Sequence, residues 1–193
     1  MTVLEIARAP SAQFSGIAAK RIAATNDVAG RFFRLQADAI AHACQGMALA
    51  FEKGGRLLVC GDHAQTSDVS HVVVEFLHPV VVGKRALPVI ALPDIASGGA
   101  LRALPVIGRP HDMLMVLASG SLSVPARELI AAAEIIDLTT IALTGATAET
   151  PAAQYAFSVP SDDACIVQET HEMLYHVLWE LVHVFFDHRA RTP

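Results

Sequence analysis

Two segments of this chain carry side chains whose types and spacing could do chemistry. The first is Asp68-Val-Ser-His71-Val-Val-Val-Glu75. On a helix, His71 and Glu75 stand at i and i+4, on one face, with their Cβ atoms about 6 Å apart. An imidazole and a carboxylate so placed can hold one divalent metal ion or share a proton relay. A polar surface pair fits the same spacing. The intervening valines and the following Phe76-Leu77 make the segment apolar on nearly all sides. Both polar groups would then be substantially buried, and buried polar groups need partners. The second segment carries Gln168, Glu169, His171, Glu172, His176, Glu180 and His183 among Val, Met, Leu, Trp and Phe. Positions 168, 172, 176 and 180 step by four, a stripe that also fits a solvated face. Gln168 and His176 lie two turns apart, about 12 Å along a straight helix. To meet at one metal they must lean toward each other or come from different subunits.

Two turns could take an anion. Ser119-Gly120-Ser121 offers hydroxyls and free backbone N–H groups at the start of a helix, which suit a phosphate, although most such turns are only turns. The turn from Gly61 to Asp68 is polar through Asp62, His63, Gln65, Thr66 and Ser67, but Asp62 would repel an anion.

These residues need a frame, and the hydrophobic pattern supplies one. Ile40, Ala43, Cys44, Met47 and Phe51 recur at helical spacing in a stretch from about 17 to 53 that Gly54-Gly55 ends. Short apolar runs follow at 56–60, 87–92, 112–118, 138–144 and 155–159, reading as strands. Between them lie helical patterns near 67–77, 98–104 and 125–135, and a long one from about 162 to 188. Pro125 suits the first turn of its helix because it lacks the N–H that would be orphaned there. Strands alternating with helices predict a parallel sheet covered on both faces. The expected fold is a three-layer, doubly wound α/β domain with two added N-terminal helical stretches. The whole chain, 1–193, forms one domain, with a helical region at 1–53 and the α/β core with its long last helix at 54–190. Ligands in such sheets sit beyond the carboxyl ends of the strands, which are the turns after Cys60, Leu92 and Ala118.

Composition narrows the function classes. Charged residues make up only 17% of 193, against about 25% in an average domain. This excludes disorder and predicts that much surface is hidden in subunit contacts. A net charge of −5 argues against wrapping nucleic acid or an anionic membrane. No apolar run approaches the ~18 residues of a spanning helix. Glu5 and Arg8 interrupt the stretch a signal peptide would need, so a cytoplasmic protein is expected. Cys44, Cys60 and Cys165 are odd in number and widely spaced, and read as buried thiols.

Taken together and in order, these parts resemble the sugar isomerase (SIS) domain, specifically the phosphoheptose isomerases. The similarity spans about Phe51 to Phe186. Its stations are Phe51-Glu-Lys-Gly-Gly-Arg-Leu-Leu-Val-Cys-Gly61, Asp68-x-x-His71-x-x-x-Glu75, Leu87-Pro-Val-Ile-Ala-Leu-Pro-Asp94, Ser119-Gly120, Ile141-Ala-Leu-Thr-Gly145 and Gln168-Glu-x-His171-x-x-x-x-His176. The last is the most specific. The resemblance implies a flavodoxin-like fold and a homotetramer with sites at subunit interfaces. It implies one zinc ion per subunit, held by His71, Glu75, Gln168 and His176. The implied reaction converts a ketose phosphate, sedoheptulose 7-phosphate, to an aldose phosphate. Glu75 would be the base and His176 the acid. The implied substrate contacts are Gly61, Asp62, His63, Gln65, Asp94, Ser119, Gly120 and Ser121.

The chain departs from the family where phosphate is held. The family's first loop reads Gly-Asn-Gly-Gly-Ser, whereas here Gly61 is followed by Asp62, His63, Ala64 and Gln65. In the second loop, Leu117, Ala118 and Leu122 stand where the family has hydroxyls, and the family's Asp three before the Gln is Cys165. Arg85, Arg102 and Arg109 could supply replacement contacts. Three readings follow: a sugar-phosphate isomerase, a non-catalytic SIS oligomer that serves as an adaptor or ligand sensor, or a metal-dependent enzyme on a non-phosphorylated ligand.

Overall fold

The computed structural model describes residues 11–62, 65–79, 81–147 and 149–190. The chain opens with α1 (Ser11–Glu52), a single helix of 42 residues. The described part of the expected N-terminal helical region is one continuous helix. Gly30 costs a helix interior about 1 kcal/mol. That is too little to break a helix whose Val28, Phe32, Ile40, Ala43, Cys44 and Met47 are all buried. Gly54, at φ +84°, turns the chain out of the helix.

There follow β1 (Leu57–Gly61), α2 (Thr66–Leu77), β2 (Val89–Ala91), α3 (Gly99–Ile107), β3 (Met113–Leu117), α4 (Val124–Ile135), β4 (Thr139–Thr144), β5 (Tyr155–Ser158) and α5 (Ala164–Ala190). All strands are parallel, in the order β2-β1-β3-β4-β5. Residues alternate between faces along each strand. Leu57, Val59, Met113, Met115, Ile141 and Leu143 therefore meet α1, α2 and α5 on one side. Leu58, Cys60, Leu114, Val116 and Ala142 meet α3 and α4 on the other. This is the expected three-layer, doubly wound domain. Its strand order reverses between β1 and β3, which opens a crevice at their carboxyl ends.

Helices α1 and α5 run side by side in the same direction. Arg21 bridges Asp163 and Glu169 at 2.9 and 3.1 Å, and Arg189 meets Glu52 at 3.4 Å. At the amino ends of β1 and β3, Asp112 is buried and takes hydrogen bonds from the Arg56 backbone and guanidinium. All three cysteines are free; Cys44 and Cys60 are buried, as expected, whereas Cys165 is exposed. Among the described residues, no helix is long and apolar enough to cross a membrane.

Candidate metal and catalytic site

Helix α2 rises from the carboxyl end of β1 through a tight turn. A Cβ on Gly61 would stand 2.8 Å from that of Gln65, so the turn needs a glycine. His71 and Glu75 project from α2 toward α5, where His176 meets them. The Nε2 atoms of His71 and His176 are 3.3 Å apart, and Oε2 of Glu75 lies 3.7 Å from Nε2 of His176. One ligand atom from each of the three lies within 4.8 Å of the others. Zinc bonds of about 2.1 Å at tetrahedral angles put ligand atoms roughly 3.4 Å apart, so the three donors fit a divalent ion of that size.

Gln168 lies further back along α5, level with the start of α2. Its Nε2 donates to Oδ1 of Asp68 at 2.9 Å. The bond assigns the amide nitrogen to Asp68 and leaves the Gln168 carbonyl oxygen as the atom free to act as a ligand. Burial pushes the Asp68 carboxyl above its usual pKa, against the opposing pull of the Gln168 amide and of His71. The Asp68 Oδ2 atom is buried and has no hydrogen-bond partner among the described residues. Behind His71 stands Tyr175, fully buried, its hydroxyl 2.8 Å from Nδ1 of that ring. In front is an open cavity of about 340 Å³, lined by Glu75, His176, Lys84, Trp179 and Val184.

The other expected contacts are spread over the turns at the carboxyl ends of the strands. Asp62 is buried and engaged with Ser123. Its two oxygens accept the Ser123 N–H at 2.6 Å and the Ser123 hydroxyl at 2.8 Å. Ser123 is the N-cap of α4, so an internal carboxylate already serves the start of this helix. Gln65 is also buried, its Oε1 without a partner among the described residues. Asp94, exposed after β2, accepts the Ser97 N–H, which holds its carboxyl below the usual range. Ser119 and Gly120 are partly exposed and Ser121 is exposed. Ser121 lines a separate cavity of about 300 Å³ with Leu122, Arg127 and Thr150. His63 lies outside the described residues. Arg85 stacks on Phe186, and Arg102 donates to the Ser97 carbonyl. The Arg109 N–H is bound by Asp112 at the amino ends of the strands.

His171, within the most specific motif, is fully buried and donates Nε2–H to the Thr144 carbonyl at 3.1 Å. It ties α5 to the end of β4. Tyr175 was not singled out from the sequence. As an aromatic residue on an apolar stripe it reads as core, and its contact with His71 spans 104 residues.

The reversed sheet order, the long flanking helices and the converging His, Glu and His define a sugar isomerase (SIS) domain. No family model matches the chain, but individual relatives do. It is 32% identical to the phosphoheptose isomerase of Chlorobaculum parvum over 77% of this chain and 79% of that protein. It is 30% identical to that of Thermodesulfovibrio yellowstonii over 79% and 83%. The solved phosphoheptose isomerase of Francisella tularensis superposes with a TM-score of 0.72 at 24% identity, over 95% of this chain and 99% of that one, an agreement of fold. The chain belongs to the phosphoheptose isomerase family.

Proposed function

We propose that this protein is an aldose–ketose isomerase acting on a sugar phosphate such as sedoheptulose 7-phosphate. The observation that carries the reading is the meeting of Glu75 and His176 at one partly buried point, from two helices distant in sequence. Isomerisation needs a base to move a proton between adjacent carbons and an acid at the carbonyl oxygen. Glu75 carries the proton from carbon to carbon. His176 delivers a proton to the developing oxyanion. Their separation of 3.7 Å suits two groups acting on neighbouring atoms of one substrate. A zinc ion, one per subunit, would be held by His71, Glu75 and His176, with Gln168 as the fourth ligand. When bound, it would supply Lewis-acid polarisation of the carbonyl oxygen.

The sugar lies along the carboxyl ends of β1, β2 and β3, beside Gly61, Gln65 and Asp94. Its phosphate meets Ser119, Gly120 and Ser121. The half-exposed His176 and the open cavity beside it support a homotetramer whose neighbouring subunit closes the site. The acidic net charge supports a protein that binds neither nucleic acid nor an anionic membrane, and Glu5 and Arg8 in its first residues support a cytoplasmic one.

The test is turnover of sedoheptulose 7-phosphate by zinc-loaded protein. Glu75→Gln lowers the rate by about 10²- to 10⁴-fold, the usual contribution of a general base, and leaves the assembly intact. Near-normal activity in that variant removes Glu75 as the base. If sedoheptulose 7-phosphate neither turns over nor raises the melting temperature, this substrate is wrong. One observation favours a second reading, a non-catalytic SIS adaptor: Asp62 fills the start of α4 with the chain's own anion. Failure to take up metal under any loading condition would decide for the adaptor.

A further inference from the structure

Tyr175 directly precedes His176 on α5, is fully buried, and touches both histidines of the site. Its ring meets those of His71 and His176 edge to face, with centroids 5.1 and 5.2 Å away. The two nitrogens of His71 are thereby divided. Nδ1 faces the Tyr175 hydroxyl at 2.8 Å, and Nε2 faces His176 at 3.3 Å. A neutral imidazole has one lone pair and one N–H. For Nε2 to offer its lone pair to a metal, the hydrogen must sit on Nδ1, where the phenol oxygen accepts it. A tyrosine hydroxyl is neutral near pH 7 and can accept from Nδ1–H.

We propose that Tyr175 is a positioning residue for the metal site, whose hydroxyl holds His71 as the Nδ1–H tautomer and aims Nε2 at the point shared with Glu75 and His176. The inference rests on the metal reading given under Proposed function. A partner behind a ligating histidine that fixes its tautomer and ring orientation is worth about 10- to 100-fold in metal affinity. Tyr175→Phe isolates this contribution, because it keeps the ring and its packing and deletes only the oxygen.

The experiment measures zinc affinity of the full-length protein by competition with a chromophoric chelator. It also measures the ¹⁵N ring shifts of His71 in zinc-free protein, which distinguish the tautomers. The expected result is Nδ1–H in the wild type, loss of that preference in Tyr175→Phe, and zinc binding weaker by about 10- to 100-fold. Leu178→Val, a change at another buried position of α5, leaves the affinity within about two-fold and controls for packing. Equal affinities in wild type and Tyr175→Phe overturn the inference and leave the metal reading standing. A wild type that takes up no zinc overturns both. Should the variant fail to fold, the wild-type shifts still decide: an Nε2–H tautomer overturns the inference.

Discussion

His171 and His176 lie five residues apart on α5 in opposite surroundings. The His176 side chain is 45% exposed at the cavity, whereas that of His171 is sealed against the end of β4. Burial pushes the His171 pKa down to about 4 from an ordinary 6.5, and the Thr144 carbonyl recovers only part of the shift. The folded protein therefore holds a neutral ring while the unfolded chain protonates near pH 6.5. Between about pH 6.5 and 4 the unfolded state binds more protons, so stability falls as pH drops through that window. By pH 4 the loss from this residue is on the order of 3 kcal/mol. Urea unfolding of zinc-free protein at pH 7, 5.5 and 4.5 measures it. In His171→Asn that part of the slope disappears, and an unchanged slope would assign the acid lability elsewhere.

Two carboxylates join elements at opposite ends of the sheet. Asp62 links the end of β1 to the start of α4 through Ser123. Asp62→Ala leaves the Ser123 N–H and hydroxyl without that acceptor and costs about 1–2 kcal/mol. Asp62→Asn keeps one carbonyl acceptor and costs less, an order that thermal unfolding of the two variants checks. At the other end, Asp112 accepts from Arg56 at 2.6 Å and from the Arg109 N–H at 3.0 Å. Asp112→Ala strands a largely buried guanidinium and is expected to cost about 3 kcal/mol in urea unfolding. The site is at the far end of the strands, so kcat of the folded fraction stays unchanged.

At the scale of the molecule, the low charge content finds its counterpart on the surface. Leu35, Val82 and Ile135 are each at least 80% exposed, and Val184 stands half exposed at the rim of the cavity. Apolar surface of this kind is what closed, symmetric assembly covers. Light scattering is expected to give four times the 20.5 kDa chain mass. Under the proposal that a neighbouring subunit closes each cavity, activity is expected to fall on dilution together with the tetramer. A monomer with full activity would separate the site from the assembly.

Local periodicity, which a linear chain displays, was enough to predict the five parallel strands and the i,i+4 pairing of His71 with Glu75, whereas the α5 motif of Gln168, His171 and His176 stood out only through the family resemblance. The same local signals showed the helical spacing of α1 from Ile40 to Phe51, whereas the buried stripe from Val28 to Met47 that carries the helix past Gly30 follows from its packing. Asp62 is the converse case: its charge was legible in the sequence, but its commitment to Ser123, 61 residues away, was not. Nor was the hydroxyl of Tyr175 behind His71. Side-chain type and spacing follow from the sequence alone because they depend on residues within a turn or a strand. Which nitrogen faces which oxygen depends on how α2 and α5 dock on the sheet, and only the packed tertiary structure decides that.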